Sequence, residues 1–401
     1  MKLAMTLIVR NEADIIEDNL RYHRAQGVDF FIVLDNGSDD GTVEILESYE
    51  REGILKLVRL PGTMLTIQRK GNTQIARIAH EIGADWVLHN DADEFWWPVG
   101  GNIKETLADI PDNFGVVLVP RTEYLPRPDG TGSFTERLTI REARFRRPPK
   151  TAHRTHPRVK LWSTHPIDLW VKGEDSRQSS NLVGKPALRT AATHREETGL
   201  ELVLAPRFPI GIYHFPLRSF EQYRNKIRIT DDNRMWERNE ETRALHEAYE
   251  SGQLEGVFKN LILDEDAVAE GLSEGWLVED TELRDYLEDC PGVLDDGEAP
   301  PGSRAWSEER RDAALAGLRE DGMYVISRYM QTVASKKRKR HMQVRDLKRL
   351  RGKVKELQGD VRGLRAQVRR LRRRSRRLEN IERSRWWRMR PRRPRTRRRG
   401  D

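Results

Sequence analysis

Two acidic residues separated by a single alanine follow a short apolar segment of the chain. Asp91 and Asp93 come directly after 86–88, a Trp-Val-Leu run, and acidic residues two apart on an extended turn project to the same side. Two such carboxylates can share one divalent cation, and Mg²⁺ and Mn²⁺ commonly bind one or two carboxylates plus substrate phosphates. The pair therefore predicts a metal site for a phosphate-bearing substrate. An acidic turn that faces solvent is the competing interpretation.

Short apolar runs alternate with helical patterns around this pair. Strands are predicted at 4–9, 30–34, 54–58, 86–88 and 116–119. Helical patterns separate them, and the first of these, at 12–26, stops at Gly27, a residue typical of the position just after a helix. Strands that alternate with helices of this length indicate βαβ units. We therefore predict an α/β fold with a Rossmann-like, mostly parallel sheet.

Polar residues follow several of the predicted strands. Asn11 and Glu12 come after the first strand, Asp35 after the second, and the acidic segment 90–94 after the 86–88 strand. Open parallel sheets bind ligands outside the carboxyl ends of their strands, so these residues should meet at one edge. That edge is the predicted functional site.

Composition limits the cellular context. Only 37% of the 401 residues are hydrophobic and 34% are charged, so the core should occupy only part of the chain. The single cysteine, Cys290, cannot form an intramolecular disulfide, and the first apolar run stops too early for a secretory leader. No apolar segment approaches the roughly 20 residues that span a bilayer. We therefore expect a cytoplasmic protein whose membrane contact, if it has any, is peripheral.

Three ordered segments resemble the family-2-like bacterial glycosyltransferases. They read TLIVRNE at 6–12, VLDNGSDDGT at 33–42 and DWVLHNDADEF at 85–95. A fourth segment, IYHFPLRS at 212–219, is similar to the segment that closes the catalytic domain in that group. The resemblance covers roughly residues 1–230 and implies a GT-A fold. It also implies transfer of a sugar from a nucleotide-sugar donor to a glycan or lipid-linked acceptor.

The resemblance implies roles for the nucleotide-binding residues. Asp35 matches the acidic residue that contacts the base, while Asn11 and Glu12 line the same edge. Arg69 and Lys70 precede a helix that should pass near the phosphates. Basic side chains on a solvated loop are the alternative interpretation for Arg69 and Lys70.

The resemblance also implies the metal ligands and an inverting mechanism. Asp91 and Asp93 match the metal motif for Mn²⁺ or Mg²⁺, and His214 matches a late histidine that contacts the metal or the diphosphate. A structural histidine at a strand end is the alternative for His214. Inversion needs a carboxylate as general base, for which the sequence offers Asp175, which we favour, and Glu94 beside the metal motif.

The chain divides into four predicted parts. A catalytic domain at 1–230 precedes a helical accessory segment at 231–335, a coiled coil at 336–382 and an arginine-rich tail at 383–401. Within 347–378, Val and Leu repeat at alternating spacings of three and four residues, mostly Val at position a and Leu at position d. This pattern favours a parallel two-stranded coiled coil and hence a homodimer. A single amphipathic helix on the body of the protein is the alternative.

The tail indicates an anionic partner. Arginines attract anionic surfaces and Trp386 and Trp387 prefer the headgroup level, so we predict a peripheral anchor on the inner face of the plasma membrane. Nucleic acid is the competing partner, because the basic run 336–340 directly precedes the heptads as in a basic leucine zipper. The functions compared are thus a glycosyltransferase of cell-surface polysaccharide or glycolipid assembly, a nucleic-acid-binding coiled-coil protein, and a nucleotidyltransferase on a similar fold.

Overall fold

A computed structural model gives the architecture of most of the N-terminal three quarters of the chain. The residues it describes are 1–60, 62, 64–112, 114–127, 132–157, 159–161, 169–172, 179–181, 203–204, 209–232, 240–290, 307–325, 327–328, 353, 359 and 370. Strands in this part of the chain are β1 (Leu3–Val9), β2 (Phe30–Asp35), β3 (Leu55–Arg59), β4 (Trp86–Asn90), β5 (Glu94–Pro98), β6 (Phe114–Leu125), β7 (Ile140–Glu142), β8 (Arg147–Arg154), β9 (Val159–Leu161), β10 (Leu169–Lys172), β11 (Ser179–Asn181), β12 (Val203–Leu204), β13 (Ile210–His214) and β14 (Leu277–Glu279).

Helices surround these strands in sequence and in space. They are α1 (Ile16–Ala25), α2 (Thr42–Arg51), α3 (Met64–Glu81), α4 (Ile103–Ala108), α5 (Phe134–Arg137), α6 (Phe220–Asp232), α7 (Glu240–Glu250), α8 (Leu254–Lys259), α9 (Glu265–Glu274), α10 (Glu282–Asp289) and α11 (308–325). Among these described helices, none is both long enough and apolar enough to cross a membrane.

The centre of the fold is a parallel sheet in the order β4-β1-β2-β3. All three of these pairings are parallel, with Val9 of β1 beside Asp35 of β2, and Leu7 of β1 beside Asn90 of β4. The mixed α/β class with a largely parallel central sheet, predicted from the alternating pattern, is confirmed. The carboxyl ends of β1, β2 and β4 consequently meet at one edge.

Helices cover both faces of this sheet. Leu3, Met5 and Leu7 of β1 are buried on the face covered by α1 and α2, whereas Ala4 is buried with Ile75 of α3 on the opposite face. Successive strand side chains point to opposite faces, so an apolar strand with no polar alternation requires cover on both sides. Helix α1 ends two residues before Gly27, whose φ of 90° is strained for any residue with a Cβ.

The second half of the sheet contains an element that the sequence did not indicate. The sequence of 121–193 has no clear periodicity, but β8 is an eight-residue strand between β4 and β6, antiparallel to both. Its sequence, RPPKTAHR, has no apolar alternation, and yet Lys150 and His153 are fully buried. The sequence does not indicate this strand because three of its five buried residues are polar. Beyond β8, β13 runs parallel to β6 and antiparallel to β5.

The predicted accessory segment is mainly helical and packs at several points against the elements of residues 1–230. Phe258 of α8 packs against Tyr223 and Ile227 of α6, and β14 pairs with β7. Further along, Leu318 of α11 is buried, and its neighbour Asp321 accepts a hydrogen bond from the backbone N–H of Phe145 at 2.9 Å.

Contacts divide the chain into two compact units, 1–331 and 332–401. Of the second unit only residues 353, 359 and 370 are described, so the predicted coiled coil and arginine-rich tail lie outside the described residues.

Candidate active site

The buried carboxylate of Asp93 lies at the carboxyl edge of the sheet within reach of three cationic side chains. Nζ of Lys226 donates to its Oδ2 at 2.6 Å, and Nη1 of Arg218 lies 3.6 Å from the same oxygen. Nε2 of His214 is 3.6 Å from Oδ1. The backbone reinforces the arrangement, since the N–H of Phe215 donates to the carbonyl of Asp93. The structure thus brings the predicted pair Asp93 and His214 together.

These cations determine the protonation of the site. Burial by itself would raise the pKa of Asp93, but Lys226, His214 and Arg218 together hold it well below its usual value. Burial would likewise lower the pKa of His214, whereas Asp93 and Glu123 hold it above its ordinary value. Asp93 is therefore ionised and available as an anionic ligand near neutral pH.

Arg218 joins three acidic residues from two loops. Its guanidinium is buried, donates to both carboxylate oxygens of Asp14 at 2.9 and 3.0 Å, and donates to Glu12 at 2.5 Å. Burial raises the pKa of Glu12 to about 7 against the opposing charge of Arg218. Glu12, predicted to line the substrate edge, is therefore tied to Asp93 through Arg218.

Glu123 of β6 extends the cluster and was not identified from the sequence. Nδ1 of His214 lies 3.3 Å from its Oε1, and Nη2 of Arg147 lies 2.9 Å from its Oε2. His214 is thus held between two carboxylates, Asp93 and Glu123, which fixes the ring orientation. No sequence pattern indicates this contact, because 91 residues separate Glu123 from His214.

Asp91 and Glu94 share a buried lysine. Nζ of Lys150, on β8, is 2.5 Å from Oδ2 of Asp91 and 3.2 Å from Oε2 of Glu94. The Asp91 side chain is 46% exposed, whereas that of Glu94 has no exposed surface and also contacts Arg121. Asp91 can therefore reach a ligand at the edge, while the Glu94 carboxylate faces the interior.

Asn11 connects the loop after β1 with the loop after β2 and with α6. It is the one residue other than glycine in the described part of the chain with a positive φ, 58°. Its side chain donates to Asp39 at 2.6 Å and accepts from the backbone N–H of Asp39 at 2.8 Å. Gln222 of α6 donates to its carbonyl at 3.0 Å. These contacts place Asn11 at the predicted edge, where it holds together the loops that line the site.

The remaining predicted site residues are Asp35, Arg69, Lys70 and Asp175. Asp35, at the end of β2, accepts hydrogen bonds from the backbone N–H groups of Gly37 and Ser38 at 2.9 and 3.2 Å. Lys70 is exposed on α3, and Arg69 precedes it on that helix, with its side chain outside the described residues. Asp175 also lies outside them.

The side chains at the sheet edge can be compared with the ligands that the predicted cation needs. No group of three or more His, Cys, Asp or Glu side chains among the described residues is arranged to hold a metal ion by itself. Asp91 and Asp93 nevertheless offer carboxylate oxygens at one sheet edge, and Mg²⁺ or Mn²⁺ commonly needs only one or two carboxylates when substrate phosphates complete its shell. The donor set therefore fits a cation that arrives with a diphosphate.

Comparison with known proteins identifies a class of enzymes. Residues 5–180 match the model of glycosyltransferase family 92. A glycosyltransferase family 92 protein of Oryza sativa subsp. japonica is 29% identical over 114 residues, which are 28% of this chain and 19% of the rice protein. The chain therefore aligns with about a fifth of that relative. These matches support a glycosyltransferase, in agreement with the sequence resemblance, although the family model is that of family 92.

Solved structures of glycosyltransferases are also similar to this chain. The structure of S. aureus TarS 1-349 in complex with UDP is 18% identical over 57% of this chain and 65% of that chain, with a TM-score of 0.31. Glucosyl-3-phosphoglycerate synthase from Mycobacterium tuberculosis, in complex with Mn²⁺, UDP and glucosyl-3-phosphoglycerate, is 19% identical over 30% of this chain and 44% of that chain, with a TM-score of 0.21.

Proposed function

We propose that the chain is a glycosyltransferase that moves a sugar from a nucleotide-sugar donor to an acceptor hydroxyl, with Asp93 at the centre of the donor site. The observation that carries the proposal is the buried Asp93 carboxylate, which lies at the carboxyl edge of the sheet and contacts Lys226, His214 and Arg218. One anion and several cations at such an edge suit a diphosphate and its counter-ion.

Asp91 and Asp93 would hold a Mn²⁺ or Mg²⁺ ion, with His214 beside Asp93 as a third candidate ligand. When bound, the ion neutralises charge on the departing nucleoside diphosphate. His214 can serve as a ligand only as neutral imidazole, and its pKa is raised in the structure, so occupancy of the site should favour loss of its proton.

The basic residues bind and orient the diphosphate. In the structure, the ammonium groups of Lys226 and Lys150 lie on the two carboxylates proposed for the metal. A ligand that neutralises Asp91 and Asp93 would replace one carboxylate partner of each ammonium group by phosphate oxygens, which lysines bind as point charges. Lys150 would keep its contact with Glu94, and Lys226 its bond to the carbonyl of Pro216. Arg218 stays in place, because Glu12 and Asp14 hold its guanidinium on the opposite side.

Asp175 is the proposed general base of an inverting transfer. Glu94, the other candidate, has no exposed surface and contacts both Arg121 and Lys150, so an acceptor hydroxyl has no path to it. We infer a structural role for Glu94 on this ground. Asp175→Asn should then abolish transfer while leaving nucleoside diphosphate affinity intact, as calorimetry can measure. An NMR assignment of the product anomer would test inversion.

The proposal is tested by donor turnover with Asp93→Asn, which keeps the shape of the side chain and removes its charge. We expect the release of nucleoside diphosphate from the best of several nucleotide sugars to fall at least about a hundredfold, as when one charge-stabilising contact is lost from an active site. Asp112→Asn is the matched control, because the side chain of Asp112 is fully exposed on the surface.

Two results would contradict the proposed function. Near-normal turnover of the Asp93→Asn variant in saturating Mn²⁺ would remove Asp93 from the donor site. Release of pyrophosphate by the parent protein from a nucleoside triphosphate and a sugar 1-phosphate, with no nucleoside diphosphate released from any nucleotide sugar, would identify nucleotidyl transfer. Circular dichroism of both variants shows whether a loss of turnover reflects unfolding.

For the C-terminal unit we propose self-association through 347–378 and attachment to anionic membrane surfaces through 383–401. The support is the heptad pattern of Val and Leu and the run of arginines with interleaved tryptophans. A cytoplasmic protein on the inner face of the plasma membrane, active in cell-surface polysaccharide or glycolipid assembly, is the context we propose.

A further inference from the structure

A cavity of about 180 Å³ lies beside the proposed donor site, between α5, the start of α6, and α8. Its apolar wall includes Leu138, Phe220, Phe258 and Ile262. The ring centroids of Phe220 and Phe258 lie 5.7 Å apart, so the two rings form an aromatic part of this wall. A cavity of about 150 Å³ with apolar walls accommodates a benzene molecule, so this space is large enough for one ring.

The polar part of the cavity is basic. None of the described residues that line it is acidic, and three of them are arginines, Arg127, Arg137 and Arg218. The guanidinium of Arg218 is committed to carboxylates, and Arg137 donates through Nε and Nη1 to the carbonyls of Gly132 and Arg218. Arg127 is exposed and makes no hydrogen bond or ion pair with the described residues. Its guanidinium is therefore the group best placed to bind an anion in the cavity.

The cavity borders the proposed donor site at Arg218. Arg218 lines the cavity and also lies 3.6 Å from the Asp93 carboxylate, so a ligand in the cavity lies next to the proposed donor site. Phe258 and Ile262 belong to the accessory segment, for which the sequence indicated no role. That segment supplies one wall of the space next to the donor.

We propose that this cavity binds the acceptor, and that the acceptor carries a phosphate or carboxylate beside a compact apolar ring. The inference rests on the proposed glycosyl transfer. A guanidinium fork matches the oxygens of either anion, and the apolar wall matches the ring. Recognition then requires both parts of the ligand, which neither inorganic phosphate nor phenol supplies alone.

The test uses phenyl phosphate and benzoate as probes of the full-length protein, followed by ligand-observed NMR and calorimetry. We expect at least one of them to bind, and to bind at least tenfold more tightly than inorganic phosphate or phenol. Arg127→Gln should weaken this binding about tenfold or more, and Ile262→Trp should fill the cavity and do the same. Arg51→Gln, at an exposed arginine at the end of α2, is the matched control and should change nothing.

A separate titration with nucleoside diphosphate distinguishes the two proposals. We expect all three variants to bind it like the parent. If neither probe binds, or if binding ignores both cavity variants, the cavity proposal is overturned even where the donor is turned over normally. If a probe binds as expected but no nucleotide sugar is consumed, the cavity remains a binding site and the proposed function fails.

Discussion

The stability of this fold should depend on pH through two histidines buried in the sheet. Nε2 of His89 lies 2.9 Å from Nε2 of His153, and Nδ1 of His153 is 2.7 Å from the carbonyl of Arg154. A carbonyl only accepts, so Nδ1 of His153 carries the proton and its Nε2 accepts from His89. Nδ1 of His89 in turn accepts from the hydroxyl of Thr6 at 2.6 Å. The bond between the two rings requires a neutral His153, because a protonated His153 has no nitrogen left to accept.

The magnitude follows from the pKa of His153. Burial lowers this pKa from 6.5 to about 4, so the unfolded chain binds a proton in a range where the folded chain does not. His153 therefore leaves the free energy of unfolding independent of pH above about pH 6.5. Below that, the free energy of unfolding decreases as the pH falls toward 4. At about 1.4 kcal/mol per pH unit, the loss from this residue reaches about 3 kcal/mol. That is a large share of the stability of a typical domain, about 5–15 kcal/mol.

Urea unfolding of the parent and of His153→Gln, followed by tryptophan fluorescence from pH 7 to pH 4, measures this effect. We expect the variant to be less stable at pH 7 but to lose stability less steeply, by up to about 1.4 kcal/mol per pH unit. Val87→Ala is the control, since Val87 is buried opposite His153 on β4 and does not titrate. Its curve should lie below that of the parent by a constant amount. Parallel curves for the parent and His153→Gln would refute the reasoning.

Three further predictions concern the nucleotide and the C-terminal unit. Asp35→Ala should weaken nucleoside diphosphate binding, because Asp35 is expected to contact the base and its carboxylate accepts a hydrogen bond from the loop after β2. Unchanged affinity in calorimetry would exclude the base-contact role. Removal of 383–401 should abolish flotation with anionic liposomes while preserving the mass found by light scattering, and a truncated protein that still floats would return nucleic acid or another protein as the partner. Replacement of Leu357 and Leu364 by Lys should instead lower the mass, since two Leu in the seam of the proposed coiled coil would contribute about 1.5–3 kcal/mol each, and reduce flotation only through lost avidity. An unchanged mass would favour the single amphipathic helix.

Local patterns predicted the parallel half of the sheet and the acidic edge. The apolar runs of β1, β2 and β4 are buried on both faces, so each is visible as a continuous hydrophobic segment in the sequence. Asp91 and Asp93 could be predicted at the carboxyl edge of the sheet because they come directly after β4. Boundaries were less accurate: helix α3 starts at Met64, so Arg69 and Lys70, which were expected to precede this helix, lie within it.

The basic residues of the site could not be predicted from local sequence patterns. Lys150 lies in a strand in which three of the five buried residues are polar, so no hydrophobic periodicity marks it. Arg218 meets Asp14 across 204 positions of sequence, and Lys226 meets Asp93 across 133. Such contacts depend on the topology of the sheet, which brings β13 and α6 back to the edge formed by β1 and β4. The sequence placed Asn11 at this edge but did not indicate that it joins two loops and α6.

The ion pairs of the site have a physical reason in the proposed reaction. A buried carboxylate or ammonium without a partner is costly, so a site that needs both kinds of group must pair them with each other until a ligand arrives. Asp93 with Lys226, and Asp91 with Lys150, are such pairs. A diphosphate with its cation offers each group a new partner of opposite charge, and the exchange leaves no buried charge uncompensated. In the proposed reaction Arg218 would keep Glu12 and Asp14 throughout, so the edge would retain its shape while the lysines change partners.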